Sequence, residues 1–264
     1  MFLEDAMDSL PQELLDGIIT CLPLADKRSL QNCSLVAKSW TNSSQKRLFQ
    51  SITLPPGRLQ LWLDSIWRDN IVPFKYTRQL TSYADNFSVV WQMGETADDT
   101  FCDRFRPFRQ LSCLTIAFTD VELPPQIDSP PAFGHLLLTI TLSHCVIKDS
   151  GLAALINHSP NLLCLRITSS MYSCSDERTS PPSRTHLGGL YLETVSVNVL
   201  DGLSNLGLHF EDIVLKPGVF RVDGWIKLPK RLVQSFGASV KRLGLSAPLE
   251  GGTSNHSYSY RGDS

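Results

Sequence analysis

His144 directly precedes Cys145, and His135 and His158 flank the pair. A thiol beside an imidazole is the minimum for nucleophilic catalysis, and mixed cysteine and histidine can bind zinc. The chain carries neither a CxxC pair nor an HExxH, and its sequence places no carboxylate beside these histidines. Nucleotide loops of the GxGxxG or GxxxxGK[ST] type and the GxSxG elbow are also absent. The residues therefore predict no catalytic centre, no metal and no cofactor, with the histidines on the surface or in turns.

Charge points the same way. The 264 residues carry 24 basic and 26 acidic side chains, a net charge of −2, so no global field draws the chain to nucleic acid or an anionic membrane. The nearest basic patch, Lys227, Lys230, Arg231, Lys241 and Arg242, reads as a solvated face. A partner must be recognised locally. Seven cysteines form no regular framework and most lie among apolar residues, which favours reduced thiols and a cytoplasmic or nuclear compartment. The opening MFLEDAMDS has no apolar run of the signal-peptide kind, and no stretch approaches the ~20 apolar residues of a membrane span.

The elements that would position a binding surface fall into two parts. Ser9-Leu10-Pro11-Gln12 has the form of a capping box, followed by Leu10, Leu14, Ile18 and Leu22 at every fourth position, with Leu15 and Ile19 widening the stripe. This predicts an amphipathic helix ending before Pro23. Asp26 can cap a second helix carrying Leu30 and Cys33, and Ser34 can open a third with Leu35, Val36 and Trp40 before Leu48 and Phe49. Three helices this short cannot bury all their apolar faces on one another. Leu15, Ile19 and Leu35 read as their shared core, and Gly17 inside the first helix marks either close approach of a neighbour or simple tolerance.

The segment 9–54 resembles the F-box, and in particular the F-box proteins of mushroom-forming fungi. Leu10-Pro11 with Glu13-Leu14-Leu15, Ile18, the Leu22-Pro23-Leu24 turn with Asp26, and Cys33-Ser34-Leu35-Val36 followed by Trp40 carry the likeness. The resemblance implies a trihelical module that docks on a Skp-type adaptor and through it on a cullin-RING scaffold. It implies Leu10, Pro11, Leu14, Ile18, Leu22, Leu30, Val36 and Trp40 as adaptor contacts or their immediate support.

Beyond Leu54-Pro55-Pro56-Gly57, residues 55–75 read as a linker, with Leu59, Trp62, Leu63, Ile66 and Trp67 spaced as a connecting helix. A repeat then fills 76–246. Leu137, Ile140, Leu142, Cys145 and Ile147 occupy the positions L-x-x-L-x-L-x-x-N/C-x-L, and Leu111, Leu114, Ile116, Thr119 and Val121 do so earlier. Leu162, Leu165 and Ile167 follow, then Leu187, Leu190 and Leu192. The starts at 111, 137, 162 and 187 differ by 26, 25 and 25. Weaker units hold Phe210, Ile213, Leu215 and Phe220, then Val240, Leu243 and Leu245, and Leu80 suggests an earlier strand.

The best unit, CVIKDSGLAALINHSPNLLCLRI, resembles the cysteine-containing leucine-rich repeat, with Asp149 capping a helix of Leu152, Leu155 and Ile156 and Ser159-Pro160-Asn161 as the turn. The resemblance makes Cys145 an interior thiol. The expected fold is α/β: a small three-helix F-box module followed by an irregular leucine-rich-repeat solenoid with a parallel sheet. Residues 169–185 read as a polar loop between repeats, and 247–264 as a disordered tail.

Strand positions alternating with the leucines should face solvent, which makes Thr139, Thr141, Ser143, Arg166 and Thr168 the expected contacts for a protein substrate. The implied function is that of a substrate receptor in an SCF-type ubiquitin ligase. Three readings compete with it: a repeat scaffold with no ligase role, a leucine-rich enzyme inhibitor or binder and, last, an enzyme.

Overall fold

The computed structural model describes residues 10–36, 38–55, 58, 75–83, 108, 110–118, 120–121, 136–173, 181–216, 228–245 and 258–261. The expected connecting helix with its two tryptophans, Thr119, Phe220 and His135 lie outside them.

Helix α1 (Gln12–Cys21) starts after Pro11, whose fixed φ suits a helix start. Its buried residues are Leu15 and Ile19. Ser9, and with it the expected capping box, lies outside the described residues. The Gln12 side-chain amide donates to Asp16 Oδ1 at 3.0 Å and to Ser43 Oγ at 2.8 Å, and Ser43 in turn donates to Asp16. This polar triad fastens α1 to the helix that carries Ser43.

Helix α2 (Lys27–Val36) is capped as expected, the Ser29 amide donating to Asp26 Oδ1 at 3.0 Å. Ser34 does not open a third helix. It sits inside α2 with its hydroxyl on the Gln31 carbonyl at 2.7 Å, so Leu35 and Val36 end α2, and α3 (Lys38–Leu48) begins after them. Leu15, Ile19, Leu30 and Trp40 form the core of the three helices, with Leu10, Leu22, Cys33 and Leu48 packed at its margin. A Cβ on Gly17 would meet nothing within 4 Å, so the glycine is tolerated there and no neighbour requires it.

Strand β1 (Ser51–Leu54) follows α3 after Phe49 and Gln50. The sequence placed these residues with the helices, but β1 is the first strand of the sheet, parallel to β2 (Gln79–Tyr83). Lys27 secures the junction, donating from Nζ to the carbonyls of Leu48 at 2.7 Å and Ser51 at 2.9 Å.

The remaining elements follow a repeating course: β3 (Cys113–Ala117), β4 (Asp120–Val121), β5 (Thr139–Ser143), β6 (Val146–Lys148), α4 (Asp149–Asn157), β7 (Cys164–Thr168), β8 (Met171–Ser173), β9 (His186–Glu193), α5 (Val197–Asn205), β10 (His209–Lys216), α6 (Leu228–Phe236) and β11 (Arg242–Leu245). β12 (Tyr258–Arg261) lies in the tail expected to be disordered and pairs antiparallel with β11. The large sheet runs β1-β2-β3-β5-β7-β9-β10-β11-β12, parallel throughout except at β12. A second parallel sheet, β4-β6-β8, runs alongside. The fold is mixed α/β with a mostly parallel, open sheet.

Register aligns the spaced leucines. Ile52, Leu80, Leu114, Ile140, Leu165, Leu190, Ile213 and Leu243 form one inward row, and Ile116, Leu142, Ile167, Leu192 and Leu215 belong to the next. All are buried except Ile52 and Leu243 at the two ends, which are half-buried. Each fully buried side chain of this size contributes about 1.5–3 kcal/mol relative to exposure. Val121, Ile147 and Tyr172 form the matching row of the second sheet.

The period reaches the backbone. Phe118, His144, Ser169 and Thr194, the residues just past four successive strands, all have positive φ between 48° and 57°. Each donates its amide to the last residue of the next strand: Ser143, Thr168, Glu193 and Lys216. The turn after Cys145 is further closed by buried Ser170, whose hydroxyl accepts from the Cys145 amide at 3.0 Å and reaches the Thr168 carbonyl at 2.9 Å.

Three local expectations change. Asp149 is the first residue of α4 and does not cap it; its carboxylate accepts from the Tyr172 hydroxyl instead, and its charge still suits the helix N-terminus. Met171–Ser173, expected within a polar loop, is a strand, because Tyr172 is buried against α5. His158 is buried at the end of α4, while His144 is exposed as expected of a turn residue.

Candidate functional site

Two surfaces carry the residues singled out by sequence. On the helical module, Leu14 and Ile18 are 56% and 46% exposed, and Leu35 and Val36 at the end of α2 are 83% and 50% exposed. Pro11 is also exposed, and Leu10 and Leu22 are partly so. Four large apolar side chains of these short helices therefore face solvent. Leu30 and Trp40 are buried between the helices, which leaves them the supporting half of the two roles expected of them. Leu35, expected in the core, is corrected, because α2 runs on to Val36 and carries it out to solvent.

The outward face of the sheet is the second surface. Thr139, Thr141, Ser143 and Thr168 are half-buried and Arg166 is exposed. Register places Thr141 beside Arg166 and Ser143 beside Thr168. Thr53, Thr81, Thr115 and Thr141 form one cross-strand row of hydroxyls, which Arg166 and Tyr191 continue. Thr139 lies one row away, between Cys113 and Cys164.

Beyond Arg166 the face becomes charged, through residues that sequence reasoning missed. The Arg166 guanidinium stacks over the Tyr191 ring at 5.3 Å, and the Tyr191 hydroxyl donates to Glu193 Oε2 at 3.2 Å. Lys216 reaches Glu193 Oε1 at 2.8 Å. Burial, then the neighbouring Glu193 charge, pushes the Tyr191 phenol above its ordinary value. The hydrogen bond to Glu193 raises the Lys216 ammonium. A signal existed for both missed residues: Tyr191 and Glu193 stand one period after Arg166 and Thr168, at the same strand positions.

An aromatic stack lines the strand ends beside this face. Phe118 lies against His144 with centroids 4.5 Å apart and planes 12° from parallel, and Tyr83 stacks on Phe118 at 5.9 Å. Ser143 Oγ is 3.0 Å from His144 Nδ1, which ties the stack to the polar rows. The result is a surface of hydroxyls, charged side chains and aromatic edges.

The thiol is held in the interior. Cys145 is buried, and its Sγ lies 3.4 Å from the Ile116 carbonyl and 3.3 Å from that of Ser143. Among the described residues no group of three or more His, Cys, Asp or Glu is placed to hold a metal, and no helix is long and apolar enough to cross a membrane. At the basic end of the chain, Lys241 pairs with Glu211 and Arg242 with Asp212, whose carboxyl is lowered chiefly by that hydrogen bond. No family model matches the chain, and no curated protein matches it either.

Proposed function

We propose that the chain is the substrate-receptor subunit of an SCF-type ubiquitin ligase. In this reading α1–α3 are an F-box that docks on a Skp-type adaptor, and the strands that follow are degenerate leucine-rich repeats that hold a protein substrate. The observation that carries it is the exposure of Leu14, Ile18, Leu35 and Val36 on a three-helix module whose own core is already filled by Leu15, Ile19, Leu30 and Trp40. An outward sheet face of Thr141, Ser143, Arg166 and Thr168, beside the Tyr83–Phe118–His144 stack, supports the substrate half of the reading.

The mechanism is positional. The receptor binds the adaptor at one end and the substrate along the sheet, which raises the effective concentration of a substrate lysine near the ubiquitin donor without chemistry of its own.

The test is co-purification with a Skp-type adaptor, comparing the native chain with a Leu14→Glu, Ile18→Glu variant. Both side chains lie outside the core, so the variant should keep its circular dichroism and melting temperature while losing the adaptor. Failure of the native chain to bind at micromolar concentration would overturn the reading. Transfer of ubiquitin to a captured partner then separates a ligase receptor from a scaffold that merely binds the adaptor.

A further inference from the structure

A cavity of about 240 Å³ lies where the helical module meets the start of the sheet, with Asp16, Ser43, Lys46, Arg47, Tyr76 and Arg78 in its wall. Three of these side chains are cationic and one is anionic, a local excess of two positive charges on a chain whose net charge is −2.

The acid offsets only one of the three cations. Asp16 Oδ1 already accepts from Gln12 and Ser43, and these hydrogen bonds are the leading reasons its carboxyl is lowered, ahead of the Lys46 charge. Among the described residues no carboxylate pairs with Lys46, Arg47 or Arg78.

Arg47 is the fixed donor. Its Nη1 donates to Gln50 Oε1 at 3.1 Å and its Nη2 lies 3.3 Å from the carbonyls of Thr20 and Leu22. All three acceptors are neutral, so none of them supplies a counter-charge. Its Nε–H is buried with no acceptor at all, which is costly for a charged donor. The Arg78 backbone is pinned by its amide to the Gln50 carbonyl at 3.0 Å, so this second guanidinium is rooted beside Gln50. Tyr76 is anchored from the same segment, its hydroxyl on Asn42 Oδ1 at 2.7 Å.

We propose that this cavity binds a small phosphate-class dianion, orthophosphate or the phosphate group of a small monoester. The charge excess matches a dianion, and two guanidinium groups with an ammonium suit the several acceptor oxygens of a phosphate better than the two of a carboxylate. Pockets for drug-sized ligands run from about 300 to 1,000 Å³, so this one suits the anionic group without a large organic body. The site spans α1, α3 and the residues leading into β2, and its occupation ties the helical module more tightly to the sheet.

The experiment is thermal unfolding and calorimetric titration of the full chain with inorganic phosphate, against chloride at equal ionic strength, and then with phenyl phosphate. Phosphate should raise the melting temperature where chloride does not, because a ligand that binds only the folded state stabilises it. A Lys46→Gln, Arg78→Gln variant changes two exposed side chains and should keep the fold while weakening phosphate at least tenfold. Lys38→Gln, away from the cavity, should change nothing. Should the double variant unfold, the single Arg78→Gln change replaces it, with severalfold weakening expected. Neither orthophosphate nor phenyl phosphate acting beyond chloride, or binding undiminished in the variants, overturns the proposal. Binding of phenyl phosphate but not of orthophosphate assigns the site to monoesters; the reverse assigns it to the free ion.

Discussion

The ring of Tyr172 occupies the space that a side chain on Gly202 would need: a Cβ there would stand 2.1 Å from two of its ring carbons. Tyr172 comes from β8 and Gly202 from α5, so this contact seats a helix of one repeat against the strand of the repeat before it. Gly202→Ala should destabilise by about 1–3 kcal/mol, the range for forcing a methyl group into a packed site. Gly17→Ala, in open space on α1, should instead stabilise by up to about 1 kcal/mol. Urea denaturation of the two variants checks both signs; a neutral Gly202→Ala would mean the ring moves aside freely.

Lys27 joins the two parts of the molecule through the carbonyls of Leu48 and Ser51. Burial, then the Arg47 charge, lowers its pKa. Lys27→Met removes a charged donor and leaves both carbonyls short of a partner, at a cost of about 1.5–3 kcal/mol. Hydrogen exchange should localise the loss to the end of α3 and to β1, whereas exchange faster only within α2 would show that the lysine serves its own helix alone.

Asp16 has a folded pKa below its ordinary value because of Ser43 and Gln12. A depressed carboxyl stabilises the fold fully above the unfolded value of about 4, and that contribution is lost as pH falls through the lower folded value. Asp16→Asn should therefore flatten the acid side of the stability–pH curve below about pH 4 and lower stability near neutrality. Parallel curves for the native chain and the variant would show that the triad is not coupled to protonation.

Thr194 has φ 54°, in a region that β-branched residues rarely adopt. Asparagine is far better suited there, so Thr194→Asn should raise stability by on the order of 1 kcal/mol. The same exchange at Thr168, inside a strand, should give no gain. Melting temperatures of the two variants make the comparison.

The inward rows were legible because a strand alternates its side chains and a stacked array repeats that alternation, so Leu114, Ile140, Leu165 and Leu190 announced themselves by spacing. The outward site was legible only in part. Arg166 and Thr168 follow from alternation alone, but the contact of Arg166 with Tyr191 needs the register between strands, which hydrogen bonds set in three dimensions. Ser34 misled for a local reason. A hydroxyl that bonds back to the Gln31 carbonyl inside a helix has the same sequence signature as one that starts a helix. Tyr172 was hidden among polar neighbours, and only the gap at Gly202, distant in sequence, shows why it is buried.

Because the polypeptide passes from α3 into β1 across only Phe49 and Gln50, and β1 is hydrogen-bonded into the sheet, the array works as a ruler fixed at one end. From β1 to β11 the eight parallel strands leave seven intervals, which at about 4.8 Å each place the far strand about 34 Å from the near one along the sheet. Adding or deleting one strand unit would shift the far edge of the sheet by one such graduation. Reach is therefore set in steps of one strand.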